Sequence, residues 1–261
     1  DLGAFSDYQQ FLVPLNVEII NSAIGIVCHS RENLSRIRDR YPHVNATHIP
    51  LHYFRPRCAE LAGSRELARE RLCIAPGELI IVAPGFITPQ KQIDLLLQAV
   101  SCVQDELPAF SVYLVGEPWD QTALESLIGA SGLADRVVVT GFTTQTEFFN
   151  YIEAADIVAN LRYPSAGETS GTLIQAMALG RCVLAFDYES FAEFPADTVA
   201  KVPLDTFDAA GLAREILDLA QHPERRASIE TAAQQYIPSR HRLEDYVAAM
   251  SDFVRLCSAR A

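Results

Sequence analysis

Between residues 79 and 202, short apolar runs alternate with helical segments, and this alternation restricts the chain to few folds. The runs at 79–83 (LIIVA), 110–115 (FSVYLV), 136–140 (RVVVT), 156–161 (DIVANL), 182–186 (CVLAF) and 198–202 (TVAKV) read as strands, and 91–104, 121–131, 145–154 and 170–179 read as helices. Several strands are apolar throughout, as suits a sheet buried on both faces, so the expectation is an α/β fold: a parallel sheet sandwiched by helices. A chain of 261 residues holds one large domain, or one domain and part of another. With 49% hydrophobic and 21% charged residues, disorder and coiled coil are excluded, and the core can be substantial. No apolar run approaches the roughly 18 residues of a spanning helix, which leaves room only for peripheral membrane contact.

Flanking elements extend the pattern. Residues 23–28 (AIGIVC) read as a strand, Ser30 as the cap of a polar helix running to about Tyr41, and 47–51 as a second short strand. Residues 52–64 lack periodicity and read as a linker, with a domain boundary near Pro56. The last third reads as three helices, 208–221, 223–236 and 240–257. The chain opens on Asp1 with no initiator Met or signal-like run, and its first element reads as the middle of something larger, so a piece of a longer protein is expected.

The formal net charge of −12 repels polyanions, so no nucleic-acid partner is expected, and an anionic ligand must be small and met by local donors. Cys28, Cys58, Cys73, Cys102, Cys182 and Cys257 form no CxxC pair and no cluster at zinc spacing, so free thiols in a reducing cytoplasm are expected. Nothing in the sequence sets an oligomeric state.

In open parallel sheets the ligand lies beyond the carboxyl ends of the strands, which directs attention to PGFITPQK, VGEP, TGFTT and RYPSAGETSG. Thr88 suits a helix cap and Pro89 the first helical position, so Lys91 falls in the first turn, against the helix dipole. With Gly85 allowing close approach to the backbone, Lys91 and first-turn amides make an anion pocket; a solvated surface lysine is the alternative. A second helix start, capped by Thr169 or Ser170, has exposed amides that suit a phosphate. Glu168 beside it reads either as a site acid or as a good neighbour of a helix N-terminus. Gln175 lies three and four residues past Thr172 and Gly171, on the side above the loop, and reads either as a ligand contact or as an exposed glutamine.

The ordered segments PGFITPQKQIDLLLQAV, VYLVGEP, RVVVTGFTTQTEFFNYIEAADIVANL and GETSGTLIQAMALGRCVLAF resemble the C-terminal, nucleotide-sugar-binding domain of family 4 retaining glycosyltransferases of the GT-B fold. The resemblance spans roughly residues 79–202. It implies a Rossmann-like half of a GT-B fold at 57–238, preceded at 1–56 by the tail and linker of the acceptor-binding half and followed at 239–261 by a helix crossing back to that half. It also implies that Lys91 contacts the diphosphate, that Gly141, Phe142 and Thr143 lie by the base, and that Gly116 and Glu117 form another cleft loop. Phe86 stands where the family usually has Arg. Gln175 stands at the ribose-binding glutamate, and Glu168 is shifted by one residue at the sugar-facing one.

The function implied is transfer of a sugar, with retention, from a nucleoside-diphosphate sugar to a saccharide or lipid-linked acceptor. Lys91 and the amides near Ser170, Gly171 and Thr172 meet the leaving group, while Thr169, Gly85 and Gln175 complete the donor contacts and Glu168 faces the sugar. A nucleotide-binding module without turnover, the fragment alone being inactive, and a nucleotide-sugar epimerase of the same architecture are the alternatives. Epimerisation needs no acceptor, which separates it by product analysis. The chain has no GxGxxG, Walker loop, HExxH, GxSxG or Asp-x-Asp, so no cofactor and no metal are expected.

Overall fold

The computed structural model describes residues 17–53, 65–165 and 167–259; the boundary expected near Pro56 lies outside the described residues. The main body is a six-stranded parallel sheet of β3 (Leu79–Pro84), β4 (Phe110–Val115), β5 (Val137–Val139), β6 (Ile157–Ala159), β7 (Cys182–Phe186) and β8 (Ala200–Val202), in the order β5-β4-β3-β6-β7-β8. A smaller parallel pair, β1 (Ile26–Cys28) and β2 (Ala46–His48), precedes it.

Alternation along β3 explains the layers. Leu79, Ile81 and Ala83 join one core with Leu96, Leu97 and Val100 of α4 (Ile93–Val103) and Leu212 and Ile216 of α9 (Ala209–Gln221). Ile80 and Val82 join another with Ile152 of α6 (Gln145–Ala154), Leu173 and Met177 of α7 (Gly171–Ala178) and Ile237 of α10 (Pro223–Arg240). Successive side chains on a strand point to opposite faces, so a strand covered on both sides must be apolar throughout, and all six residues of β3 are buried. α5 (Gln121–Ser131) connects β4 to β5 and is capped by Asp120, whose carboxylate accepts from Ala123 N at 2.9 Å.

Several elements differ from the sequence reading. Lys91 ends a three-residue 3-10 turn (Pro89–Lys91) instead of standing in the first turn of a helix. Gln92 breaks the two apart with a left-handed φ of 52°, and its side-chain amide donates to Tyr163 O at 2.7 Å. β2 is centred earlier than 47–51, because Leu51 O accepts from the His241 ring at 2.6 Å and Tyr53 N donates to His241 O at 2.8 Å, drawing the chain off the ladder. α10 passes Tyr236 and carries Pro238 within its last turn, held by fully buried Ile237. Three short helices were not anticipated: α1 (Val17–Ser22), α3 (Arg65–Arg71) and α8 (Glu189–Ala192).

Ser30 caps α2 (Arg31–Arg40) as expected, accepting from Asn33 N at 3.1 Å. The last helix, α11 (Leu243–Ser258), packs on this first segment so closely that a Cβ on Gly25 would lie 2.5 Å from Cys257 Sγ. Cys28, Cys73, Cys102, Cys182 and Cys257 are free thiols. No helix among the described residues is long and apolar enough to cross a membrane.

Candidate functional site

The chain runs from β3 to β4 and β5 in one direction, then returns to lay β6, β7 and β8 on the other side of β3. The switch falls between β3 and β6, and at such a point a ligand crevice is expected beyond the carboxyl ends of the strands. The turn leaving β3 touches the turn leaving β4: Gly85 N donates to Val115 O at 2.8 Å, and a Cβ on Gly116 would lie 2.5 Å from Gly85 O. Only glycine fits position 116 at that approach. Ile87 N donates to Glu117 O and Trp119 N to Ile87 O, each at 2.9 Å, which ties the two turns together further.

The 3-10 turn carries Lys91 back over the end of β3, where its ammonium donates to Pro84 O. A Cβ on Gly85, whose φ is +92°, would lie 2.8 Å from Lys91 Nζ and 3.8 Å from Thr172 Oγ1. The turn after β3 and the start of α7 therefore converge. Burial, and after it the charge of Arg162, lowers the Lys91 pKa to about 7. Among the described residues no carboxylate pairs with Lys91, so the charge has a backbone carbonyl but no counter-ion.

The β6 side supplies the rest. Tyr163 N donates to Gln90 O at 2.9 Å, joining the two loops. Arg162 Nη1 donates to Glu168 Oε1 at 3.2 Å, Ser165 Oγ to Glu168 Oε2 at 2.9 Å, and Ser190 Oγ to Glu168 O at 2.7 Å. Glu168 is thus held in orientation two residues before the cap of α7. Ser170 is buried and caps α7, accepting from Leu173 N at 3.3 Å and donating to Asn160 Oδ1 at 3.0 Å, so its hydroxyl serves the fold. The amides of Gly171 and Thr172, in the first turn, have no helical acceptor of their own. Gln175 is half-buried one turn along, on the Thr172 side.

The other residues singled out in the sequence have surroundings of their own. Gly141, Phe142 and Thr143 follow β5, two strands from β3 on the same edge, with Phe142 86% exposed. Phe86 sets its ring edge-on to exposed Trp119, centroids 6.2 Å apart. Thr169 lines a different cavity, of about 410 Å³, with His29, Arg31, His48, Glu193 and His241, whose lining includes neither Lys91 nor Glu168. Arg162, Ser165 and Ser190 were not singled out. A cation directly after a strand in RYPSAGETSG was the available signal for Arg162. No signal marks Ser190, which reaches Glu168 through the fold. Among the described residues, no group of three His, Cys, Asp or Glu side chains is placed to hold a metal ion.

The sequence pattern of the family described as "Glycosyl transferases group 1" matches residues 78–222, more than half of the chain. The chain belongs to that family. This group 1 glycosyltransferase chain is 27% identical over 235 residues to a D-inositol 3-phosphate glycosyltransferase of Salinispora tropica, covering 84% of the chain and 48% of the relative. It is 30% identical over 204 residues to the Mycolicibacterium smegmatis protein of the same name, covering 73% and 45%. The chain thus spans about half the length of these curated relatives. Its fold is similar to that of sucrose-phosphate synthase from Thermosynechococcus elongatus, with a TM-score of 0.79 and 20% identity over 100% of this chain and 64% of that one. Anabaena HepE, solved in complex with UDP-glucose, gives a TM-score of 0.74 with 17% identity over 97% and 68%. The Rossmann-like half of a GT-B glycosyltransferase is the architecture these similarities share with the group 1 chain.

Proposed function

We propose that this chain is the donor-holding half of a retaining glycosyltransferase of the family 4 type. It binds a nucleoside-diphosphate sugar without a metal ion, in the cytoplasm, and the acceptor, a saccharide or lipid-linked molecule, is met mainly by the other half of the parent protein. In this reading residues 57–238 hold the donor, 1–56 belong with the acceptor half, and 239–261 cross back to it. The observation that carries the reading is the meeting of Lys91 Nζ and Thr172 Oγ1 around Gly85, at the switch between β3 and β6. The complex of HepE with UDP-glucose supports a uridine nucleotide as the first ligand to try.

Chemistry follows from the charges. Breaking the glycosidic bond to the diphosphate leaves an oxocarbenium-like sugar and a polyanion, so fixed hydrogen-bond donors around the phosphates supply the largest stabilisation. Lys91 and the amides of Gly171 and Thr172 fill that role. Glu168, oriented by Ser165 and Arg162, positions sugar hydroxyls and softens the developing positive charge.

Calorimetric titration with UDP tests this. Lys91→Ala should weaken binding by about 1 to 3 kcal/mol, the range for a lost charged hydrogen bond, and a chelator should leave the wild-type affinity intact. Unchanged affinity in Lys91→Ala removes this residue from the site, and a strict divalent-metal requirement contradicts the metal-free pocket.

A further inference from the structure

Lys91 is not the only cation directed at this crevice. Arg162 lies three residues past the end of β6, on the other side of the switch point, and its loop is joined to the Lys91 turn by Tyr163 N to Gln90 O at 2.9 Å and by the Gln92 side chain to Tyr163 O at 2.7 Å. One Nη1 hydrogen bond to Glu168 engages only part of a guanidinium with five N–H donors. Its Nε is buried and has no partner among the described residues. Two like charges gathered where one carbonyl and one carboxylate receive them make an arrangement that an entering anion relieves. Phe86, turned to Trp119, contributes no hydrogen-bond donor.

We propose that Arg162 is the second fixed cation of the diphosphate site, meeting the phosphates that Lys91 meets from the β6 side of the crevice. The inference rests on the donor-holding reading above and adds a residue to it. A planar guanidinium offers paired N–H groups that match phosphate oxygens, while Lys91 acts as a point charge. Burial first, and then the charge of Arg162, lowers the proton affinity of Lys91, which fits this arrangement.

The test is titration of this chain with UDP, comparing wild type, R162Q, R162K, E168Q and the R162Q/E168Q double variant. Arg162→Gln should weaken UDP binding about 10- to 100-fold, and Arg162→Lys, which keeps the charge without the fork, by about 3- to 10-fold. Glu168→Gln removes the ion pair but leaves the guanidinium, so affinity should hold or rise. Arg162→Gln should also reduce, without abolishing, the proton uptake that accompanies UDP binding at pH 8, since the charge of Arg162 is gone while burial still lowers the Lys91 pKa. If R162Q does not fold, R162K carries the comparison. Wild-type affinity in R162Q, or in R162K where only that variant folds, overturns the role of Arg162. So do equal losses in R162Q and E168Q with no further loss in the double variant, because Arg162 then acts only through Glu168. A wild-type chain that binds none of UDP, GDP and ADP overturns the donor-holding reading itself, a different result from the other two.

Discussion

An ammonium group held by a backbone carbonyl and facing a guanidinium is unfavourable until an anion shares the space, and Lys91 is in that position. Its pKa of about 7 in the folded chain, against 10.5 ordinarily, means that between those values it is neutral when folded and charged when unfolded. The unfolded state then binds more protons, so the contribution of Lys91 to stability rises with pH across that window. A bound diphosphate reverses the preference by favouring the charged form. UDP affinity should therefore fall as pH rises from 7 to 9, and at pH 8 titrations in two buffers of different protonation enthalpy should report uptake of part of a proton, lost in Lys91→Ala. Flat affinity with no uptake contradicts this role. The sequence placed Lys91 at the end of a strand but put it in a helix, because the left-handed turn at Gln92 is fixed by Tyr163, 71 residues away.

Among elements, α2 buttresses the Glu168 loop. Its cap Ser30 donates to Gly167 O at 2.7 Å, Glu193 accepts from Arg31 N and Glu32 N at 3.1 and 3.0 Å, and Arg36 pairs with Glu189 at 2.6 Å. The fit is close: a Cβ on Gly167, at φ +81°, would lie 2.3 Å from Asn33 Oδ1. Ser30→Ala should cost about 0.5 to 2 kcal/mol. Amide exchange should quicken at Gly167–Ser170 while β3 and β4 keep their protection; uniform loss of protection contradicts a local buttress. Elements were legible where the signals are local. Asp120 and the Thr144–Glu147 capping box start their helices where expected, and the apolar runs of β4 and β7 end where their turns begin. α3 gave no such signal: RELARER has no apolar stripe, and it is held by ion pairs of Arg65 with Glu230 and Arg69 with Asp156, distant in the sequence.

At the scale of the molecule, a net charge of −12 surrounds a crevice whose nearest fixed charges include Lys91 and Arg162. Local donors must hold an anion against that field, so the order of the strands matters more than composition: placing β6 beside β3 brings two loops more than 70 residues apart to one point. Strand and helix periods revealed the α/β class and the strand-end loops, whereas the pairing of β3 with β6 that creates the crevice is a property of topology. A crystal structure of this chain with UDP gives the most direct measurement. The expected result is a diphosphate with oxygens within hydrogen-bonding reach of Lys91 Nζ and of the Gly171 and Thr172 amides together. UDP seated instead in the cavity of about 410 Å³ between His29 and His241, with the Lys91 ammonium still on Pro84 O, would contradict it.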